Sequence, residues 1–497
     1  METFSLLIGG FAQALQPGYL IYALLGCLLG TLIGVLPGIG PAAGTAILIP
    51  ITAGLDPTGS IIMLAAIYYG AMYGGTITSV LINTPGEAAS AVTCLDGYAM
   101  AKMGRAGPAL SVAAIGSFIG GIIATVGLIF LALPLTRFAL TFGPPEIFSL
   151  LLIGLSLVTA LASTSVVRSL IAAVAGLLIA QVGLDPIMGM ERFTFGRLEL
   201  FDGFEIVPVV MGLFGISEVL LSIEKPTHNV FASSVGSLFL SKDDIKRSTG
   251  PVLRGTVIGF FLGLVPGLGS MIPAFLSYAA EKRLSKHPEE FGKGAIEGVA
   301  GPETSNNSYA NAALIPLFTL GIPASPTIAI LMGALMMNGL VPGPTLFVEH
   351  SQFAWTVIAS LVIGNVMLLV LNLPLIPMWV SLLRVPYGIL VVIVLTFCVL
   401  GAYSLNNQLF DIWVMLGFGI VGYLMKKANI PSAPLVLTLI LGPLLESTLR
   451  QSLEISGGDF SVFLNRPMSL TLIVLAVLVL LSSSLQIFKQ VKADSEV

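Results

Sequence analysis

No lysine or arginine occurs between Met1 and Ala101, and over all 497 residues only 10% are Asp, Glu, Lys or Arg. A soluble globular chain carries about 25% charged residues, so an ordinary soluble globule is excluded. Blocks of basic residues interleaved with aromatics, the footprint of a nucleic-acid partner, are also missing. Secretory signals open on a basic segment, whereas this chain opens on Met1-Glu2, so its first apolar stretch is expected to stay in the mature protein.

Cysteine and histidine are just as sparse. Cys27, Cys94 and Cys398 lie in or beside apolar stretches at no metal-ligand spacing and read as small buried hydrophobes. His228, His287 and His350 fall in loop-like contexts without a second ligand, and H-E-x-x-H, G-x-S-x-G and Walker A patterns are lacking. The expectation is no catalytic residue, no metal and no cofactor. Energy for any transport must then come from an ion gradient or from another chain.

What the chain does have is hydrophobicity, 56% of its residues. Runs of about 20 apolar residues, each able to cross a hydrocarbon core of about 30 Å, recur from Tyr19 almost to the C-terminus. The fold class expected is an all-α polytopic membrane protein with roughly ten to twelve transmembrane segments.

Two of these runs are interrupted in the same way. Leu36-Pro37-Gly38-Ile39-Gly40-Pro41 is echoed 229 positions later by Val265-Pro266-Gly267-Leu268-Gly269. Proline removes a helical hydrogen bond and glycine accepts unusual backbone angles, so Pro-Gly-x-Gly inside an apolar run predicts a broken or re-entrant helix. Matched breaks in two halves point to a transporter's binding site. A second pair of breaks follows, Asn83-Thr84-Pro85-Gly86 and Gly321-Ile322-Pro323-Ala324, and then a third likeness, Met100 to Pro108 against Met336 to Pro344.

Charge assigns the halves opposite orientations. Asp56 and Glu2 precede the first basic residues, Lys102 and Arg105, which places the Lys102 loop inside by the positive-inside rule. In the second half the basic loops are instead those flanking the Pro-Gly-x-Gly break, Glu224 to Arg254 and Glu281 to Glu297, while Asn338 to Pro344 has no basic residue. Two inverted repeats are expected, roughly Met1 to Ile223 and Glu224 to Val497. The mixed, aromatic stretch Leu184 to Glu205 reads equally as an interfacial segment or a loop.

Helices restarting after Pro41, Pro85, Pro273 and Pro323 would aim the positive ends of their dipoles inward, which suits an anion. Carbonyls freed near Gly38 and Gly267 suit a small cation. The plainer alternative is a packing kink. Substrate-binding candidates are therefore Gly38, Gly40, Asn83, Thr84, Gly86, Gly267, Gly269, Asn306, Asn307 and Ser325, with Glu87 ranked below Asn83 and Thr84. The polar run Gly301 to Asn311 is either a solvated loop or a buried lining, because so many amides and hydroxyls are costly to bury unpaired. As a lining it offers Glu303, Ser305 and Asn311 as coupling-ion residues. Lys102, Arg105, Arg137, Arg168, Arg384 and Arg450 mostly stand at segment ends and read as interfacial anchors.

Taken together, Gly30-x-x-x-Gly34-x-x-Pro37-Gly38-Ile39-Gly40-Pro41, the segment Gly70 to Glu87, the run Gly301-Pro302-Glu303-x-x-Asn306-Asn307, and Gly321-Ile322-Pro323 resemble the large membrane subunit of the tripartite tricarboxylate transporters, the TctA family. That resemblance implies a bacterial inner-membrane permease importing citrate-like tricarboxylates or related organic anions, with Na+ or H+ as the coupling ion. It also implies two partners, a small TctB-like membrane subunit and a periplasmic TctC-like solute-binding protein. The alternatives kept are a self-sufficient ion-coupled permease, a membrane-embedded enzyme and a scaffold subunit.

Overall fold

The structure, a computed structural model, describes residues 2–36, 40–52, 54–161, 166–185, 188–224, 235–382 and 387–494. It is helical almost throughout. The first half runs α1 (Glu2–Ala14), α2 (Pro17–Val35), α3 (Gly40–Thr52), α4 (Pro57–Ile82), α5 (Thr93–Lys102), α6 (Ala106–Ala139), α7 (Pro144–Leu161) and α8 (Val166–Ile179). Next come α9 (Ile206–Val210) and α10 (Ser217–Glu224), joined without interruption by a π-helical turn at Met211–Ile216.

The second half holds α11 (Lys242–Gly263), α12 (Met271–Leu284), α13 (Glu297–Ala312), α14 (Leu314–Leu320), α15 (Pro326–Met337), α16 (Pro344–Glu349) and α17 (Ser351–Asn372). It closes with α18 (Ile376–Leu382), α19 (Tyr387–Asn406), α20 (Leu409–Lys427), α21 (Ser432–Ile455), α22 (Val462–Asn465) and α23 (Pro467–Asp494). Among the described residues six of these, α2, α4, α6, α17, α20 and α21, are long and apolar enough to cross a membrane, and eight shorter apolar helices accompany them. The chain is an all-α polytopic membrane protein.

Glycine sets how closely the central helices approach. In α2, Gly26, Gly30 and Gly34 recur every fourth residue and so share one face. A Cβ at each would lie 2.5, 2.4 and 2.2 Å from the carbonyl oxygens of Met63, Ile67 and Ala71 on α4. In α11, Gly255, Gly259 and Gly263 repeat the arrangement, with distances of 2.4, 2.2 and 3.0 Å to the carbonyl oxygens of Gly301, Ser305 and Tyr309 on α13. Small residues that let backbones touch are how membrane helices associate, since lipid gives apolar surfaces no drive to separate from it.

The helix ends correspond too. Asn83 and Gly321 both take left-handed angles (φ 56° and 71°), and Thr84 and Ile322 each send an N–H back six residues, to Thr78 O and Pro316 O. This closure reaches one residue further back than a Schellman motif and stops the helix by satisfying its last carbonyls. Further on, Gly104 N–H bonds to Ala101 O and Arg105 N–H to Met100 O, while Gly339 N–H bonds to Met336 O and Leu340 N–H to Leu335 O.

The basic loops of the two halves meet at one end. Arg105 pairs with Asp244, Ser111 Oγ donates to Leu238 O at 2.6 Å, and Asp96 Oδ1 accepts the N–H groups of Gly292, Gly294 and Ala295 at 2.8 to 2.9 Å. Arg247 binds Glu297 at 2.8 Å and Glu290 at 2.5 Å.

One sequence alternative is now decided, and a second stretch gains a local structure. The polar run Gly301 to Asn311 is not a solvated loop: it lies in α13, every residue of which is buried. Leu184 to Glu205 carries a two-stranded antiparallel ladder, β1 (Gly183–Leu184) with β2 (Glu191–Arg192), and a 3-10 turn at Leu198–Leu200. Arg192 fastens it by binding Asp185 and, at 2.9 Å, Glu446 of α21. Cys27 and Cys398 are buried, Cys94 is half-buried, and all three are free thiols.

Candidate functional site

Three helix starts converge. α3 begins at Gly40 (φ 66°) directly after the first Pro-Gly-x-Gly segment, α12 at Met271 after the second, and α15 at Pro326 after Gly321-Ile322-Pro323-Ala324. Their opening residues line one cavity of about 280 Å³: Gly40 to Ala43 from α3, Gly269 to Met271 from α12, and Ser325 to Thr327 from α15. The first turn of any helix leaves N–H groups without intrahelical partners and carries the positive end of the dipole, so three positive dipole ends meet at this cavity, a setting that favours an anion. At α15 Ser325 Oγ takes up one of these donors, accepting from Ile328 N–H at 3.3 Å.

Other walls come from Met72 of α4, Glu87 and Ala88 of the segment after α4, Phe214 of the π-helical turn, Glu218 of α10 and Lys426 of α20. Insertions of this π-helical kind frequently mark functional positions because they turn side chains out of register. Lys426 Nζ lies 2.5 Å from Glu218 Oε2. The pair is formally neutral.

Two buried carboxylates stand here, Glu87 in the cavity wall and Glu303 behind it. Glu87 closes the 3-10 turn Ala89–Ala91, with Oε2 accepting Ala89 N–H at 2.6 Å and Oε1 accepting Ser90 N–H at 2.9 Å. Asn306 Nδ2 of α13 donates to the same Oε1 at 3.0 Å. Glu303, one helical turn from Asn306, receives the hydroxyl of Thr76 on Oε2 at 2.6 Å and that of Thr93 on Oε1. The break after α4 and the polar helix α13 are therefore joined by side-chain bonds.

The predicted site residues divide into groups. Gly40, Gly269 and Ser325 line the cavity, and Asn306 and Glu303 adjoin it through Glu87. Asn307 and Asn311 face α6 and α17 instead: Asn307 Nδ2 donates to Ser117 Oγ at 2.8 Å, and Asn311 Oδ1 accepts from Thr125 and Asn365 at 3.2 and 3.3 Å. Ser305 is buried, and its hydroxyl has no partner among the described residues. Asn83 and Thr84 form the end of α4, with Thr84 Oγ1 donating to Ile82 O at 3.3 Å. Gly86 lies against α2, where a Cβ would come 2.1 Å from Gly34 O. Gly267 N–H donates to Ala324 O at 3.1 Å, tying the two breaks of the second half together. Gly38 is outside the described residues.

Sequence reasoning ranked Glu87 below its neighbours and did not single out Met72, Phe214, Glu218 or Lys426. The acidic Glu87 directly after Pro85-Gly86 carried a signal, since an acid at the start of a turn caps it. Lys426 carried none, because beside Lys427 at a helix end it has the form of an interfacial anchor. Elsewhere, His287, Glu289 and Glu290 bring ligand atoms within 4.8 Å of one another, but the first two are exposed and Glu290 is held by Arg247.

Broken helices around an anion-friendly cavity, in an all-α multi-pass chain, define a membrane transport protein. The chain belongs to the tripartite tricarboxylate transporter TctA family, whose pattern residues 20–437 match. It is 47% identical over 474 residues, 95% of this chain and 94% of the relative, to an uncharacterized 52.8 kDa protein in the TAR-I ttuC' 3'region of Agrobacterium vitis. A second protein of that organism, in the TAR-II ttuC' 3'region, is 46% identical over 215 residues, 43% of this chain and 89% of the relative. No solved structure matches.

Proposed function

We propose that the chain is the permease subunit of a binding-protein-dependent secondary transporter, importing tricarboxylates of the citrate type or related organic anions down a cation gradient. It works in the bacterial inner membrane with a small TctB-like subunit and a periplasmic TctC-like protein that delivers substrate. The observation that carries this reading is the convergence of three helix N-termini, those of α3, α12 and α15, on one cavity. Backbone N–H groups and Ser325 would hold carboxylate oxygens without an unpaired buried cation.

The two halves, roughly 1–223 and 224–497, act in this reading as repeats inserted in opposite senses. The recurring glycine seams and helix closures support it, and so does the meeting of the basic loops. Inverted repeats let one packing arrangement open alternately to either side. Glu303, with Ser305 and Asn311 on the same helix, is the coupling-ion region, and Na+ or H+ the ion.

Substrate protection tests the site. Thr327→Cys, placed in a chain whose three native cysteines are replaced, should react with a small polar thiol reagent, and citrate should slow that reaction several-fold. Labelling that no carboxylate of a citrate, succinate and malonate panel affects would count against carboxylate binding in this cavity.

A further inference from the structure

We infer that Glu87, Asn306 and Tyr68 form a small-cation site in the wall of this cavity, where a sodium ion or a proton must sit before an anion can bind. The inference deepens the carboxylate-transport reading and rests on it. Glu87 borders the cavity, and all three of its side-chain partners are donors: two backbone N–H groups and the Asn306 amide. The Glu218 and Lys426 charges compensate each other, so Glu87, once it has lost its proton, leaves the lining with one uncompensated negative charge. A carboxylate substrate in a cavity of about 280 Å³ would meet that charge at short range.

Unpartnered oxygens beside Glu87 supply the second observation. Asn306 Oδ1 belongs to the amide that touches Glu87, is 1% exposed as a residue, and has no hydrogen-bond partner among the described residues. The Tyr68 hydroxyl, equally buried, makes no close hydrogen bond among the described residues and has Ser325 and Glu87 as its electrostatic neighbours. Lone pairs without donors next to a carboxylate are the ligand set of a hard monovalent cation. The remaining groups whose charge bears on the site are Glu303 of α13, Cys94 of α5 and, across the cavity, Glu218 and Lys426; Tyr278 of α12 is engaged with Asp96. Glu303 adds negative charge and strengthens the pull on a cation.

The test uses the purified full-length chain and two probes, 22Na+ and radiolabelled citrate. Wild type should show either saturable 22Na+ binding or proton uptake when citrate is added, the first assigning sodium and the second the proton. Glu87→Gln should lose that cation signal and bind citrate to the same extent with and without the cation. Asn306→Ala, which keeps the carboxylate, should weaken cation affinity about tenfold or more, and it decides the matter if Glu87→Gln does not fold. Cation binding unchanged in both variants, or absent from wild type in both assays, overturns the site. Cation binding lost in Glu87→Gln but insensitive to citrate would keep the site and overturn the carboxylate reading instead.

Discussion

Thr76 of α4 donates its hydroxyl to Glu303 of α13 at 2.6 Å, deep in the body of the protein, where both helices are buried on all sides. With Thr93 donating to the other oxygen, one buried carboxyl group organises three elements. Leaving one partner of a buried hydrogen bond unsatisfied costs about 1–3 kcal/mol. Thr76→Val, nearly isosteric, should therefore lower transport by about tenfold or more while the chain still inserts and purifies as a single species. Unchanged uptake would show that the bond is not used.

The glycine seams make a packing prediction. Gly30→Ala and Gly259→Ala each place a methyl group 2.4 and 2.2 Å from a backbone carbonyl. Backbone cannot yield as a side chain can, so each should cost about 1–3 kcal/mol or more and lower the unfolding temperature in detergent. Gly417→Ala, with nothing within 4 Å of its Cβ, should be neutral or slightly stabilising, since alanine is the better helix former. Equal behaviour of the three variants would contradict a close-contact role.

Asp244 gives a pH dependence. Burial works to raise its pKa, but bonds from the Ser241 hydroxyl and N–H and from Arg105 outweigh it, and the net shift is downward. A carboxyl whose folded pKa lies below its unfolded value stabilises the fold above about pH 4 and loses that contribution as pH falls through the folded value. Asp244→Asn, which also removes half of the capping box at α11, should cost roughly 1 kcal/mol at pH 7. Thermal unfolding should show the difference between variant and wild type shrinking only below about pH 4.

Ser325 caps α15 and lines the cavity at once. Ser325→Ala should cost about 1 kcal/mol of stability through the lost cap and also raise the KM for citrate. Ser325→Thr, which keeps a capping oxygen, should recover most of the stability. A KM unmoved in both variants would leave Ser325 a structural residue only.

Much of the architecture was legible because proline and glycine act locally. Pro37-Gly38, Pro266-Gly267 and Gly321-Ile322-Pro323 stop helices wherever they stand, and the structure begins α3, α12 and α15 just beyond them. Gly30 and Gly34 were visible as part of a motif, but their contact with Ile67 and Ala71 is tertiary and was not. The same holds for Glu87 and Asn306, which are 219 positions apart and meet only through the packing of α13 against the break after α4. The polar run in α13 was ambiguous because a sequence does not say whether neighbouring helices will satisfy its amides. Lys426 and Phe214 reach the cavity through the π-helical turn and the docking of α20 on it, which leave no mark on hydrophobic periodicity.

The most direct test is uptake of radiolabelled citrate by cells expressing the chain with its small membrane subunit, with and without the periplasmic binding protein, in sodium and in sodium-free buffer. Uptake that requires the binding protein and collapses with the cation gradient is the predicted result. Uptake at full rate without the binding protein would contradict the tripartite account and favour a self-sufficient permease.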